Sequence, residues 1–237
     1  MFKSTLTALA VVLAASACSN SSGADNTSDN AALPAPEATV TTNTSAMVTQ
    51  PEPSSLVPKG WAKQWSAEGD LNADGLSDQV VILKRADGSV DGPRRLLITF
   101  GKSDGTSSVA ADTQTFLPVV EDEKDPLADD NPLTIKNRSL RVYVEGMGTD
   151  LTHETFTFRY QNSEFQLIGY DSVNQMRSSG DYDNKSINYS TGNVERTVGN
   201  IGQSKDVVTK TGLPAGERPT LSSINLTEGF LPPEDDN

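Results

Sequence analysis

Phe156-Thr157-Phe158-Arg159-Tyr160, then Gln161-Asn162-Ser163-Glu164, then Phe165-Gln166-Leu167-Ile168 is the stretch on which the fold turns. Apolar and polar residues alternate with period two on both sides of a short polar interval, as in two half-buried strands joined by a tight turn. The same signature occurs on either side of it. Upstream, Thr134-Ile135-Lys136 and Leu140-Arg141-Val142-Tyr143 flank Asn137-Arg138-Ser139. Downstream, Ser186-Ile187-Asn188-Tyr189 and Val194-Glu195-Arg196-Thr197-Val198 flank Ser190-Thr191-Gly192-Asn193. Three successive hairpins predict a mainly β fold: an antiparallel meander, sandwich-like or curled into a partly open barrel.

Further runs bounded by Gly, Asp, Asn or Pro read as strands: Gln79 to Lys84, Arg95 to Phe100, Gln114 to Val120 and Leu140 to Glu145. The best helical candidate is Trp61-Ala62-Lys63-Gln64-Trp65, which places two indoles four residues apart on one face. The pair reads either as a cap on the open end of the sheet or as a sugar-stacking platform.

Composition bounds the function. The chain has 237 residues, with 19 Lys and Arg against 32 Asp and Glu, a formal net charge of -13. That is the wrong sign for neutralising phosphates, so nucleic acid is excluded as a partner. One Cys and one His rule out disulfide frameworks, thiolate clusters and any zinc site that needs two imidazoles.

Residues 1 to 17 carry one cation, Lys3, an apolar stretch from Leu6 to Ala15 and no acid, the layout of a secretory signal too short to span a bilayer. Residues 18 to 58 are rich in Ser, Thr, Ala, Asn and Pro, have no aromatics and hold no apolar period, so they read as a disordered tether. A β-rich body of residues 59 to 231 follows, and residues 232 to 237 form an acidic tail. The leader ends Ala15-Ser16-Ala17-Cys18, which resembles the lipobox of bacterial lipoproteins; Ala15 stands where Leu is commoner. The resemblance implies that Cys18 carries the acyl chains of a membrane anchor, and Ser19 after it implies the outer membrane. Loss of Lys3 with the leader leaves 18 cations against 32 acids, a net charge of -14.

One motif carries a mechanism. Asp70-Leu71-Asn72-Ala73-Asp74-Gly75-Leu76-Ser77-Asp78 sets oxygen side chains at positions 1, 3, 5 and 9 of a loop, with Gly at 6 and the Leu76 carbonyl at 7. This is the arrangement a calcium loop requires. Position 12 is Val81 rather than a bidentate Glu, and an apolar strand follows at once, so the loop is not an EF-hand. The alternative is a plain Asx-rich turn.

The motif resembles the calcium loop of FG-GAP and VCBS-type repeats, in which Asp-x-Asn-x-Asp-Gly-x-x-Asp runs straight into a strand. The resemblance implies Asp70, Asn72, Asp74 and Asp78 as side-chain ligands of a structural Ca2+, with Leu76 giving its carbonyl. Only one copy is present, so a full propeller is not implied. A weaker, longer likeness takes in Arg95-Leu96-Leu97-Ile98 and Phe158 to Asp171, and is to secreted or lipid-anchored bacterial proteins of VCBS-repeat-containing type.

Other signals point elsewhere. Gly101-Lys102-Ser103-Asp104-Gly105 matches a nucleophile elbow and His153 lies downstream of it, but no helical pattern follows. The acids from Glu121 to Asp125 with Asp129 and Asp130 form either a solvated loop or a second cation patch. Asp181 and Asp183 are candidate paired carboxylates. The expectation is therefore a calcium-stabilised envelope lipoprotein in a binding or structural role, with an envelope protein or glycan as partner. The alternative is an envelope hydrolase acting on glycan or ester bonds through Ser103 or paired acids.

Overall fold

The computed structural model describes residues 56–122, 124–127, 131–146, 148–214 and 216–233. Eleven antiparallel strands and no helix occur among them. A four-stranded sheet has the order β1 (Trp61–Gly69), β2 (Asp78–Arg85), β3 (Arg95–Gly101) and β4 (Ser107–Thr113). A seven-stranded meander follows: β5 (Leu133–Lys136), β6 (Ser139–Glu145), β7 (Leu151–Gln161), β8 (Glu164–Gln175), β9 (Asp181–Asn188), β10 (Asn193–Asn200) and β11 (Val207–Gly212). The three hairpins expected from sequence are β5–β6, β7–β8 and β9–β10.

Two of their turns are tighter than the polar intervals suggest. Asn137 and Arg138 (φ 52° and 59°) and Asn162 and Ser163 (φ 53° and 64°) form two-residue turns with both central residues left-handed. That geometry matches the right-handed twist of the flanking strands, so pairing runs up to the turn.

The inner faces of the two sheets share one core. Val80, Ile82, Leu96 and Ile98 of the small sheet are fully buried, as are Leu140, Val142, Phe156, Phe158 and Leu167 of the large one. At one margin β1 and β5 abut: the Asn131 side-chain amide donates to the Ser66 carbonyl (3.0 Å), and a Cβ on Gly69 would lie 2.7 Å from Ile135 Cγ2. The sheets remain separate, so the sandwich does not close into a barrel.

The run from Gln114 to Val120 does not form the expected strand. Phe116 and Leu117 are adjacent and both enter the same core, whereas a regular strand sends successive side chains to opposite faces. Pro118 also withholds a ladder donor. The irregular segment sets the Phe116 ring edge-on to Phe156 and Phe158, at 5.5 and 5.2 Å between centroids.

The Trp61–Trp65 segment is strand β1, not a helix. Lys63 pairs with Leu83 and Trp65 with Ile82, leaving Gln64 as a bulge. The extra residue reverses the alternation. Trp65 thus joins the main core, while Trp61 lies on the outer face over Val81, Leu83 and Leu97, flanked by the Arg85 and Arg95 guanidinium groups. The two indoles are not a common platform.

A second bulge does similar service in β8. Thr157 pairs with Gly169 and Phe158 with Leu167, so Ile168 is the extra residue. Phe165, Leu167 and Tyr170 can then all point inward. Before β9 begins to pair, the vacant margin of β8 is filled by a C-terminal strap: Leu167 N–H donates to the Pro219 carbonyl (2.8 Å) and Leu221 N–H to the Phe165 carbonyl (2.9 Å). The strap buries Leu221 and Ile224 and ends with Phe230 against Phe156 and Tyr170.

Candidate functional site

The loop from Asp70 to Asp78 joins β1 to β2, and Leu71 fixes it by burying its side chain in the core. Asp78 is the first residue of β2, paired with Gly69, and its carboxylate is almost fully buried. Oδ2 accepts the N–H groups of Leu71 (2.7 Å) and Asn72 (3.3 Å), and Oδ1 accepts that of Gly101 (3.0 Å). Burial pushes the Asp78 carboxyl above its usual range, opposed by those three donors. Asp78 is therefore the clasp that holds both ends of the loop to β3.

The remaining acids turn toward the loop's own backbone. Asp70 accepts from Ala73 N–H (2.7 Å) and Gly75 N–H (3.2 Å), and Asp74 accepts from Leu76 N–H (2.8 Å). The Asn72 amide donates to Asp74 Oδ2 (2.9 Å), while its oxygen accepts from Asp74 N–H (3.1 Å). Gly75 (φ 81°) makes the sharp turn, and Ala73 shares the left-handed conformation at φ 70°. Among the described residues no three acidic, His or Cys side chains converge as a metal cage in this arrangement.

The donor set nevertheless has the chemistry of a hard-cation site. All five atoms are oxygens, three from carboxylates, one from an amide and one from the Leu76 carbonyl, which suits Ca2+ rather than a softer metal. To hold the ion, Asp70 and Asp74 would exchange backbone N–H partners for it.

Two residues that the sequence did not assign to the loop belong to the site. Gly101 lies against the loop so closely that a Cβ there would sit 2.4 Å from the Ser77 carbonyl oxygen. The elbow-like motif around it is a turn instead: Gly105 N–H donates to the Lys102 carbonyl, and β4 rather than a helix follows. Arg138 reaches across from the β5–β6 turn, its Nε 3.9 Å from Asp70 Oδ2. Nothing in a single sequence announces either contact, because both cross between hairpins.

The other candidates are dispersed. Ser103 sits exposed in the β3–β4 turn, and His153 on β7 rests near the Tyr143 ring. Asp183 pairs with Arg196 and Asp181 with Asn200 and Ser179, so each carboxylate is engaged separately. Asp125 is no solvated acid: it accepts from the buried Arg94 guanidinium (2.8 Å) and from Gln64 Nε2 (3.0 Å). Cys18, Glu123, Asp129 and Asp130 lie outside the described residues. No family model, curated protein or solved structure matches the chain.

Proposed function

We propose that the chain is a bacterial envelope lipoprotein, held at the outer membrane through acyl chains on Cys18. Its β domain is stabilised by one Ca2+ and serves a binding or structural role toward an envelope protein or glycan. Asp70, Asn72, Asp74, Asp78 and the Leu76 carbonyl would hold the ion, which neutralises the carboxylates and fixes the loop without taking part in chemistry.

The observation that supports this reading is the fastening of an all-oxygen loop by Asp78 and Gly101. A loop already gathered at both ends loses little further entropy when an ion binds. Against that, Ca2+ must displace the backbone donors and the nearby Arg138 charge, which favours weak affinity, in the range of about 10⁻⁴ to 10⁻³ M seen in extracellular modules.

Calorimetry tests it. Calcium at about 100 times its dissociation constant should stabilise the domain by roughly 2.7 kcal/mol over the chelated state. Magnesium should do less, because it demands tight octahedral geometry and releases water reluctantly. Asp74→Ala should abolish the calcium shift. Identical unfolding curves in chelator, calcium and magnesium would reduce the motif to a turn.

A further inference from the structure

Strand β11 ends the seven-stranded sheet, and its outer margin carries no paired strand among the described residues. Apolar surface gathers at one end of the same sheet. Of nine exposed large apolar side chains among the described residues, Leu151, Met176, Val198, Ile201, Val207 and Val208 belong to the strands and connections at the β6–β7, β8–β9 and β10–β11 end of the sheet, or to β11 itself.

The direction of the main chain along β11 follows from its ladder. Leu213 N–H donates to the Gly192 carbonyl, and Thr211, Thr209 and Val207 pair with Val194, Arg196 and Val198. Alternation turns the N–H and C=O groups of Val207, Thr209 and Thr211 toward β10 and those of Val208 and Lys210 outward. Side chains alternate too, so Val208 and Lys210 share the outer face of the sheet, where Lys210 Nζ meets Glu195 at 2.7 Å. Asp206 stands just before the strand and accepts the Tyr182 hydroxyl.

We propose that β11 is a self-pairing edge: two copies of the chain associate through an antiparallel β11–β11 pair related by a two-fold axis at Val208. Lys205-Asp206-Val207-Val208-Thr209-Lys210-Thr211 is self-complementary in that register. Val208 faces its own copy, Val207 faces Thr209, and Asp206 faces Lys210 on both sides of the axis. A centre at Lys210 would oppose two like charges, and one at Thr209 would set Lys210 against Val208. Charge therefore selects the register in which the outward main-chain groups meet. A lysine in the middle of an edge strand ordinarily discourages pairing. Here it gains a second carboxylate, Asp206 of the other copy, beside Glu195. The short strand buries little area, so the pair is weak, with a dissociation constant on the order of 10–100 μM.

The test is native mass spectrometry of the full chain in detergent, with sedimentation velocity, from about 5 to about 200 μM. A species of twice the monomer mass should grow with concentration. Val208→Pro removes an outward N–H that the β10 ladder does not use, so it should leave the melting temperature near its original value and the chain monomeric. Asp206→Lys and Lys210→Asp should each weaken the pair at least tenfold, and the two together should restore it. The proposal is overturned if the wild-type chain stays monomeric throughout, if the doubled species survives Val208→Pro, or if the double exchange fails to restore what the single ones remove.

Discussion

At the scale of single residues, the core holds one group that works against it. The Tyr189 ring is buried among apolar neighbours, yet its hydroxyl finds no hydrogen-bond partner among the described residues. Burial pushes its ionisation up to about 12. Above pH 10 an unfolded tyrosine releases its proton while the folded one keeps it, so this residue's share of stability is present below pH 10 and is lost as the pH rises toward 12. A displacement of that size corresponds to roughly 2–3 kcal/mol across the window. Tyr189→Phe removes both the unsatisfied hydroxyl and the titration. It should be neutral or stabilising by up to about 1 kcal/mol at pH 7 and should lessen the alkaline loss, the rest of which falls to Tyr170, whose burial and bond to Glu154 push its ionisation higher still. Urea unfolding at pH 7 and pH 11 checks this, and a loss above 1 kcal/mol at pH 7 would show that the hydroxyl is satisfied in solution.

Among the elements, the strap from Pro219 to Phe230 contributes more than its lack of regular structure suggests. It completes the margin of β8, and Leu221, Ile224 and Phe230 cover Phe165, Phe156 and Tyr170. Truncation after Arg218 removes three apolar anchors at once. Single large-to-small changes in cores cost about 2–5 kcal/mol, so the shortened chain should lose at least about 5 kcal/mol, much of a typical domain's stability. Near-ultraviolet circular dichroism and melting would reveal it, and a shift of under about 5 °C would make the strap an accessory. The sequence displayed the hairpins because alternation and turn residues are local signals. It hid the strap, since Leu221 and Ile224 are isolated apolar positions in a mostly polar stretch bounded by Pro219 and Gly229, too few to establish a strand or helix period. It hid the bulges as well: one inserted residue, Gln64 or Ile168, changes the face of an aromatic without any composition cue. The oxygen loop was legible in full as a motif, whereas Gly101 and Arg138 reach it through strand order, which one sequence does not specify.

For the whole molecule, charge is the dominant bulk property. Residues 59 to 231 hold 18 Lys and Arg against 25 Asp and Glu, a net charge of -7 that makes the compact domain repel itself, and the effect is long-ranged at low ionic strength. Salt should therefore stabilise the domain in the presence of chelator, by a few degrees between about 10 mM and about 500 mM sodium chloride, as the Debye length falls from about 30 Å toward about 4 Å. Differential scanning fluorimetry decides it. A melting temperature that falls with salt would place the ion pairs Arg94–Asp125 and Arg95–Asp112 above the general repulsion in importance.

The strap also sets an order of events in biogenesis. Whether from a ribosome or a translocation pore, the chain emerges amino end first, so Phe156, Phe165 and Tyr170 appear dozens of residues before Phe230 arrives to cover them. The meander can collapse early but cannot finish its core until the strap has emerged. A polypeptide cut ahead of the strap would leave aromatic surface bare, the kind of signal that proteases and holdases read.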